Sequence, residues 1–291
     1  MLNFDAERFL RIQTGALALA DDLDAVLRRC LDAGAENLLF TGAGGVQILM
    51  QPAFQLLRTR STFPVRYEMG AELVRTDPVH LTDRSVVLLP SLSGTTEEAV
   101  ETVRFVKNKG ATVIALTGLA RTPVADLADH AFVNFAEDDT SSEMFYLLSL
   151  VAALAILDQR GEFERHAATL DELKRLPEQL LDAKKQFEDR ARELAEAYRN
   201  EPYHIITGAG SVWPEAHYYG MCILEEMQWI RTRPVHASDF FHGTLELVEN
   251  GVSVLVFQGE DACRPLTERV ARRCSTRPRS ICRTCRTPRA P

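Results

Sequence analysis

Between Glu225 and Gly243 the chain reads EEMQWIRTRPVHASDFFHG, which places the carboxyls of Glu225 and Glu226 and the imidazoles of His236 and His242 within nineteen positions. These are side chains that move protons near neutral pH, and their spacing matches no metal-ligand pattern. Far upstream, SLSGTTEE at Ser91–Glu98 gathers Ser91, Ser93, Thr95 and Thr96 around Gly94, directly after the apolar run SVVLLP. Hydroxyls and main-chain N–H groups that converge at the entrance to a helix make an anion site, and a phosphate monoester fits that volume. The competing reading is a capping box, Thr95-x-x-Glu98. One cap uses one hydroxyl, however, and four are present.

The elements that must carry these residues are announced by an internal repeat. LLFTGAGGV at 38–46 and IITGAGSV at 205–212 share an apolar run, TGAG, one small residue and Val, 166 positions apart. That spacing means duplicated domains rather than a short solenoid repeat. After the first copy, apolar strand-like and helical stretches alternate: a helix from about Val46, a strand at Val65–Tyr67, SVVLLP, a helix over Thr95–Asn108, and TVIALT. Such βαβ punctuation requires a parallel sheet with helices on both faces. Leu173, Leu176, Leu180, Phe187, Ala191 and Leu194 describe an amphipathic connecting helix restarted at Pro177. Neither glycine turn is a dinucleotide fingerprint, because Gln47 and Trp213 stand where the last glycine is needed.

Composition narrows the classes. The net charge of −8 argues against nucleic acid as the main ligand. MLNFDAERFL has no basic, then apolar, signal pattern, so a cytoplasmic location is expected. The longest apolar stretch, Met144–Leu157, is too short to span a bilayer and reads as a buried helix. Cys30 and Cys222 fall in apolar helical patterns and read as core thiols. From Cys263 onward the composition changes: nine arginines and one acid, Glu268, give +8 and leave −16 for residues 1–262. Cys282 and Cys285 form a CxxC pair without a second half, and the closing STRPRSICRTCRTPRAP shows neither helical nor strand periodicity. The expected organisation is therefore a first domain at 1–160, a connecting helix at 161–200, an incomplete second domain at 201–262 and a non-native or disordered tail at 263–291.

A strand followed by S-x-S-G-x-T and a helix resembles the phosphosugar loop of sugar isomerase (SIS) domains, and the duplicated βαβ pattern resembles double-SIS proteins such as the isomerase half of glucosamine-6-phosphate synthase. MCILEEMQWI and HASDFFHGTLELVENG are similar to fructosamine-6-phosphate deglycases, over roughly residues 20–262. The resemblance implies an α/β fold of two tandem SIS domains, each a three-layer αβα sandwich with a parallel sheet, the second truncated at its C-terminus. It implies a general-base carboxylate at Glu226, a general-acid imidazole at His242, phosphate contacts from Ser91, Ser93 and Thr96, and backbone donors at Gly44 and Gly45. Apolar Met221, Leu224, Met227 and Trp229 near Glu226 suit a partly desolvated base, Glu225 reads as a solvated or ion-paired residue and is the reserve candidate for the base, and His236, at a strand end, reads as structural. Two positions depart from the family's pattern: Gly45 replaces a hydroxyl residue, and His242-Gly243-Thr244 replaces H-G-P. The implied reaction releases an amine from an open-chain fructosamine 6-phosphate through an enaminol and a Schiff base, with no metal or organic cofactor. The implied assembly is a homodimer in which Glu226 of one chain meets His242 of the other. Adjacent aromatics in an extended segment point to opposite sides, so one of Phe240 and Phe241 is expected to pack against the partner, the alternative being a twisted loop that buries both internally. Alternatives are an aldose–ketose isomerase using the same groups, and a non-catalytic sugar-phosphate-binding regulator.

Overall fold

The computed structural model describes residues 1, 4–136 and 142–275 and the main chain of 281–286. The chain divides into two compact units, Met1–Lys185 and Gln186–Pro291. Its elements run α1 (Ala6–Ala18), α2 (Ala20–Asp32), β1 (Asn37–Gly42), α3 (Gly44–Ile48), α4 (Gln51–Arg60), β2 (Val65–Met69), α5 (Gly70–Thr76), β3 (Ser85–Ser91) and α6 (Glu97–Asn108). They continue with β4 (Thr112–Thr117), α7 (Pro123–Leu127), β5 (His130–Val133), α8 (Glu143–Gln159), α9 (His166–Leu173) and α10 (Leu176–Tyr198). The second unit adds β6 (Tyr203–Gly208), α11 (Trp213–Tyr218), the π-helical segment Tyr219–Glu226, β7 (Thr232–His236), β8 (Val252–Gln258), α12 (Arg264–Ser275) and β9 (Ile281–Arg286).

In the first unit a parallel sheet has the order β2-β1-β3-β4-β5. All residues of β1 and β3 are buried, as expected of strands covered on both faces. Leu39, Val87, Leu89, Val113 and Ala115 pack under Val103 and Val106 of α6 and Val124 of α7. Alternation sends Leu38, Phe40, Leu88 and Ile114 to the opposite face, where they are fully buried. The stretch at Met144–Leu157 is α8, buried on all sides and packed against α1, α2 and α4. No helix among the described residues is long and apolar enough to cross a membrane. Pro177 lies in the first turn of α10, where its missing N–H costs nothing.

In the second unit β7-β6-β8-β9 are also all parallel, repeating the order of β2-β1-β3-β4. Ile205, Val254 and Val256 face Val270 and Cys274 of α12. Ile206 and Leu255 face Ala216, Tyr219 and Leu224 on the other side.

Two expectations are corrected here. The segment expected to be a disordered tail is ordered where it is described: Arg264–Ser275 is a helix, and the main chain of Ile281–Arg286 pairs in parallel with β8. The charge count hid Thr267, Val270 and Cys274, which recur at steps of three and four residues and form one buried stripe. A main-chain ladder is indifferent to side-chain charge, so an arginine-rich segment can extend the sheet. The CxxC side chains lie outside the described residues. Secondly, Phe240 lies in the second unit's own core and the partly buried Phe241 packs against that core, with ring centroids 5.4 Å apart. The expectation assumed an extended segment, whereas the chain turns there: the N–H groups of Asp239 and Phe240 donate to the His236 carbonyl, and that of His242 donates to the Asp239 carbonyl.

Candidate functional site

In the first unit the site lies at the carboxyl ends of β1 and β3. Gly44 turns the chain out of β1 with φ of +63°, and a Cβ there would have nothing within 4 Å. A Cβ on Gly42 would stand 3.3 Å from Pro90, so the glycine turn and the loop after β3 are neighbours. That loop turns at Gly94, φ +64°, where any Cβ would collide with Thr122. Glycine is therefore required twice over, by conformation and by the close approach. The Gly94 carbonyl accepts from the Val124 N–H and the Leu92 carbonyl from the Gly118 N–H, fixing the loop on the next crossover.

The capping-box reading fails in the structure. Thr96, not Thr95, caps α6, and its side chain makes no capping hydrogen bond. Thr95 donates to Ser93 Oγ at 3.0 Å. Ser91 is 3% exposed, and its hydroxyl has no hydrogen-bond partner. Thr41 Oγ1, fully buried at the end of β1, also has none. Strand alternation puts Thr41 on the face of Leu39 and Ser91 on that of Leu89, the face covered by α6. Two buried hydroxyls without a protein hydrogen-bond partner thus lie on the side of the sheet where the N–H-rich start of α6 stands. Buried polar groups are almost always paired, so these two hydroxyls are candidates for hydrogen bonds to a ligand. The predicted Ser91, Ser93, Thr96, Gly44 and Gly45 do share one edge of the sheet. Thr41 was missed, although the TGAG repeat contains it. Outside the loop, an open pocket of about 490 Å³ is lined by Arg75, Thr95, Glu97, Glu101 and Arg104 among others. Its two acids offset its two arginines, and Arg75 is itself paired with Glu101 at 3.5 Å.

In the second unit Glu225 and Glu226 leave the π-helical segment, whose wider turn is seen in the Met227 N–H donating to the Cys222 carbonyl, five residues back. Such segments frequently occur at functional sites. Glu225 is half-buried and accepts from Thr232 Oγ1 at 2.7 Å, while Glu226 is exposed. The expected desolvation of Glu226 by its apolar neighbours is not supplied by its own chain, because the π-turn directs Glu225 inward instead. Cys222, earlier in the same segment, is a buried free thiol, its pKa pushed up to about 11 by burial and then by Glu226 and Glu225. His242 is exposed in the turn before Gly243, φ +138°. No hydrogen bond or ion pair joins Glu226 to His242 among the described residues. His236 ends β7 and packs edge-on against Trp213 at 5.3 Å, with Nδ1 held by Ser238 Oγ at 2.7 Å. That is the structural role expected of it. Trp213 also stacks on His217, whose pKa burial lowers, with the charge of Glu225 acting in the opposite sense. Among the described residues no group of three or more His, Cys, Asp or Glu could hold a metal.

A doubly covered parallel sheet with a hydroxyl-lined loop at a helix entrance defines the class, and residues 33–159 match the SIS domain model. The chain's similarities are to sugar-amine and sugar-phosphate proteins. It is 29% identical over 255 residues to fructosamine deglycase FrlB of Bacillus subtilis (strain 168), covering 85% of this chain and 76% of that protein. It is 27% identical over 245 residues to the fructoselysine 6-phosphate deglycase of Escherichia coli (strain K12), covering 84% and 72%. Among solved structures, that of a candidate phosphosugar isomerase from Salmonella typhimurium LT2 superposes with a TM-score of 0.83 at 26% identity, covering 92% of this chain and 82% of that one.

Proposed function

We propose that the protein deglycates an open-chain fructosamine 6-phosphate, with Ser91, Ser93, Thr96 and the backbone of Gly44 and Gly45 holding the phosphate. The observation that carries the phosphate assignment is the buried, unpartnered Ser91 hydroxyl at the entrance to α6. A phosphate oxygen supplies the acceptor that this hydroxyl lacks. The similarity to two deglycases supports the choice of reaction.

In the reaction, Glu226 removes a proton from C1 of the sugar while His242 protonates the oxygen developing negative charge at C2, giving a 1,2-enaminol. Reprotonation at C2 gives a Schiff base between C1 and the amine nitrogen. Water adds to C1, the C1–N bond breaks, and glucose 6-phosphate and the free amine leave. Every step is a proton transfer, an addition or an elimination, so no redox partner is needed. Glu225, tied to Thr232, holds the carboxyl end of the π-helical segment in place.

Glu226 and His242 are both exposed, and beside Glu226 stand the half-exposed Met227 and Trp229, which is 90% exposed with φ +58°. A homodimer that covers these side chains and sets Glu226 of one chain against His242 of the other gives the base the dry surroundings it lacks in a single chain.

Incubation with a fructosamine 6-phosphate should release glucose 6-phosphate and amine in equal amounts, detected by coupled dehydrogenase assay. Interconversion of a simple ketose and aldose phosphate without amine release would replace this reading with an isomerase. Inactive Glu226→Gln and His242→Asn chains, mixed under subunit exchange, should recover up to about one quarter of the activity. No recovery despite proven exchange would place both residues in one chain.

A further inference from the structure

The two glycine turns have the same backbone but different surroundings. Ala43 and Ala209 enter them at φ/ψ of −145°/150° and −150°/159°, and Gly44 and Gly210 follow at φ of +63° and +62°. Beside each turn a neighbouring strand leads into a helix: β3 into α6 through residues 92–96, and β8 into α12 through residues 259–263, five residues in both cases. The third residue is Gly94 in the first loop and Asp261 in the second.

That substitution fills the second turn. Asp261 Oδ2 accepts from the Ser211 N–H at 2.5 Å, and Oδ1 accepts from the Cys263 N–H at 2.8 Å. A Cβ on Gly210 would collide with the Asp261 carboxylate, whereas a Cβ on Gly44 meets nothing. Behind it, Thr207 repeats Thr41: its Oγ1 is fully buried without a partner, and alternation sets it on the face of Ile205, which α12 covers. The second unit therefore keeps the turn, the helix entrance and the unpaired hydroxyl of an anion site, with a carboxylate of its own against the turn's N–H.

We propose that Asp261 is the resident anion of a latent second phosphate site, and that its carboxylate keeps phosphate esters out of the second unit so that the chain binds one of them. The ligand class is a tetrahedral oxyanion, phosphate or its monoesters, because the groups that hold the resident carboxylate are main-chain N–H donors of the turn and of the entrance to α12. A like charge at the same N–H excludes such a ligand twice, by occupancy and by repulsion. Burial raises the Asp261 pKa, yet the hydrogen bonds from Ser211 and Cys263 outweigh this and bring it below its ordinary value, which agrees with a carboxylate acting as a bound anion.

The test uses inorganic phosphate and the full chain, in a Ser91→Ala/Thr96→Val background that disables the first turn. With Asp261 intact this chain should bind no phosphate by calorimetry. Asp261→Gly, which reproduces the first loop, should bind one phosphate per chain, in competition with sulfate; Asp261→Ser is the second variant should the glycine chain fail to fold. Binding of no phosphate by a folded Asp261 variant, at concentrations that saturate the wild-type first turn, overturns the proposal. A measurement on the wild type needs no variant: on adding phosphate, amide exchange should slow at Gly44–Val46 and stay unchanged at Ser211–Val212. Protection of both turns in the wild type overturns the proposal as well. The readouts at Ser211 belong to the second unit alone, so loss of binding at the first turn would count against the proposed function and leave this inference standing.

Discussion

Removing the Ser91 hydroxyl should move stability and affinity in opposite directions. In the free protein Ser91 Oγ is buried and unpaired, a condition that costs about 1–3 kcal/mol. Ser91→Ala deletes that oxygen, and the void left by one atom returns only a few tenths of a kcal/mol at about 24 cal/mol per Å³. The net gain is roughly 1 kcal/mol, which raises the melting temperature by about 2–4 °C for a unit of this size. With phosphate present the same hydroxyl donates to a charged oxygen, worth about 1.5–3 kcal/mol, so the variant should bind glucose 6-phosphate roughly 10- to 150-fold more weakly. The assays are calorimetric melting of the free protein and titration with glucose 6-phosphate. Thr41→Val, which removes the neighbouring unpaired hydroxyl at constant shape, is a control for the stability arm and should also raise the melting temperature. Unchanged affinity in Ser91→Ala would remove Ser91 from the phosphate site. A fall in melting temperature would show that its hydroxyl is satisfied in the free protein, and the reasoning from unpaired groups would then collapse.

Gly94→Ala forces a side chain into the left-handed region against Thr122 and should cost about 2 kcal/mol or more; combined with Thr122→Ala the loss should be at least about 0.5 kcal/mol less than the sum of the singles, and strict additivity in denaturant titrations would refute the contact. Val270→Ala in the arginine-rich helix α12 should lose about 2 kcal/mol, since the side chain is fully buried; a loss within error would return this segment to the status of a dispensable tail. Burial depresses the pKa of His204 and, against the charge of Glu225, that of His217. A depressed folded value means that the unfolded chain takes up the proton first, so their contribution is complete above an unfolded pKa of about 6.5 and drains away as pH falls through the lower folded values. Melting curves between pH 7 and 5 should therefore drop more steeply in the wild type than in a His204→Gln/His217→Gln chain; equal slopes would contradict the assignment.

Much of the fold follows from local pattern. Continuous apolar strands such as SVVLLP can be stable only when covered on both faces, so they dictate a parallel sheet between helices, and the TGAG repeat dictates that the arrangement occurs twice. The hydroxyl cluster at Ser91–Thr96 is equally local, because a strand, a tight turn and a helix entrance are neighbours in sequence. What the sequence by itself could not decide were properties set by partners distant along the chain. Whether Thr95 or Thr96 caps α6, and whether Ser91 finds a partner, depends on the crossover through Gly118 and Thr122. Asp261 reads as one more loop acid until folding brings it to Ser211, fifty residues away. The tail's arginines outweighed its three buried positions in a composition count because charge is summed over all faces of a helix, while burial concerns only one. Glu225 and Glu226 exchanged their expected environments for the same kind of reason: a π-turn rotates side chains away from their α-helical directions, and nothing local in LEEM announces it.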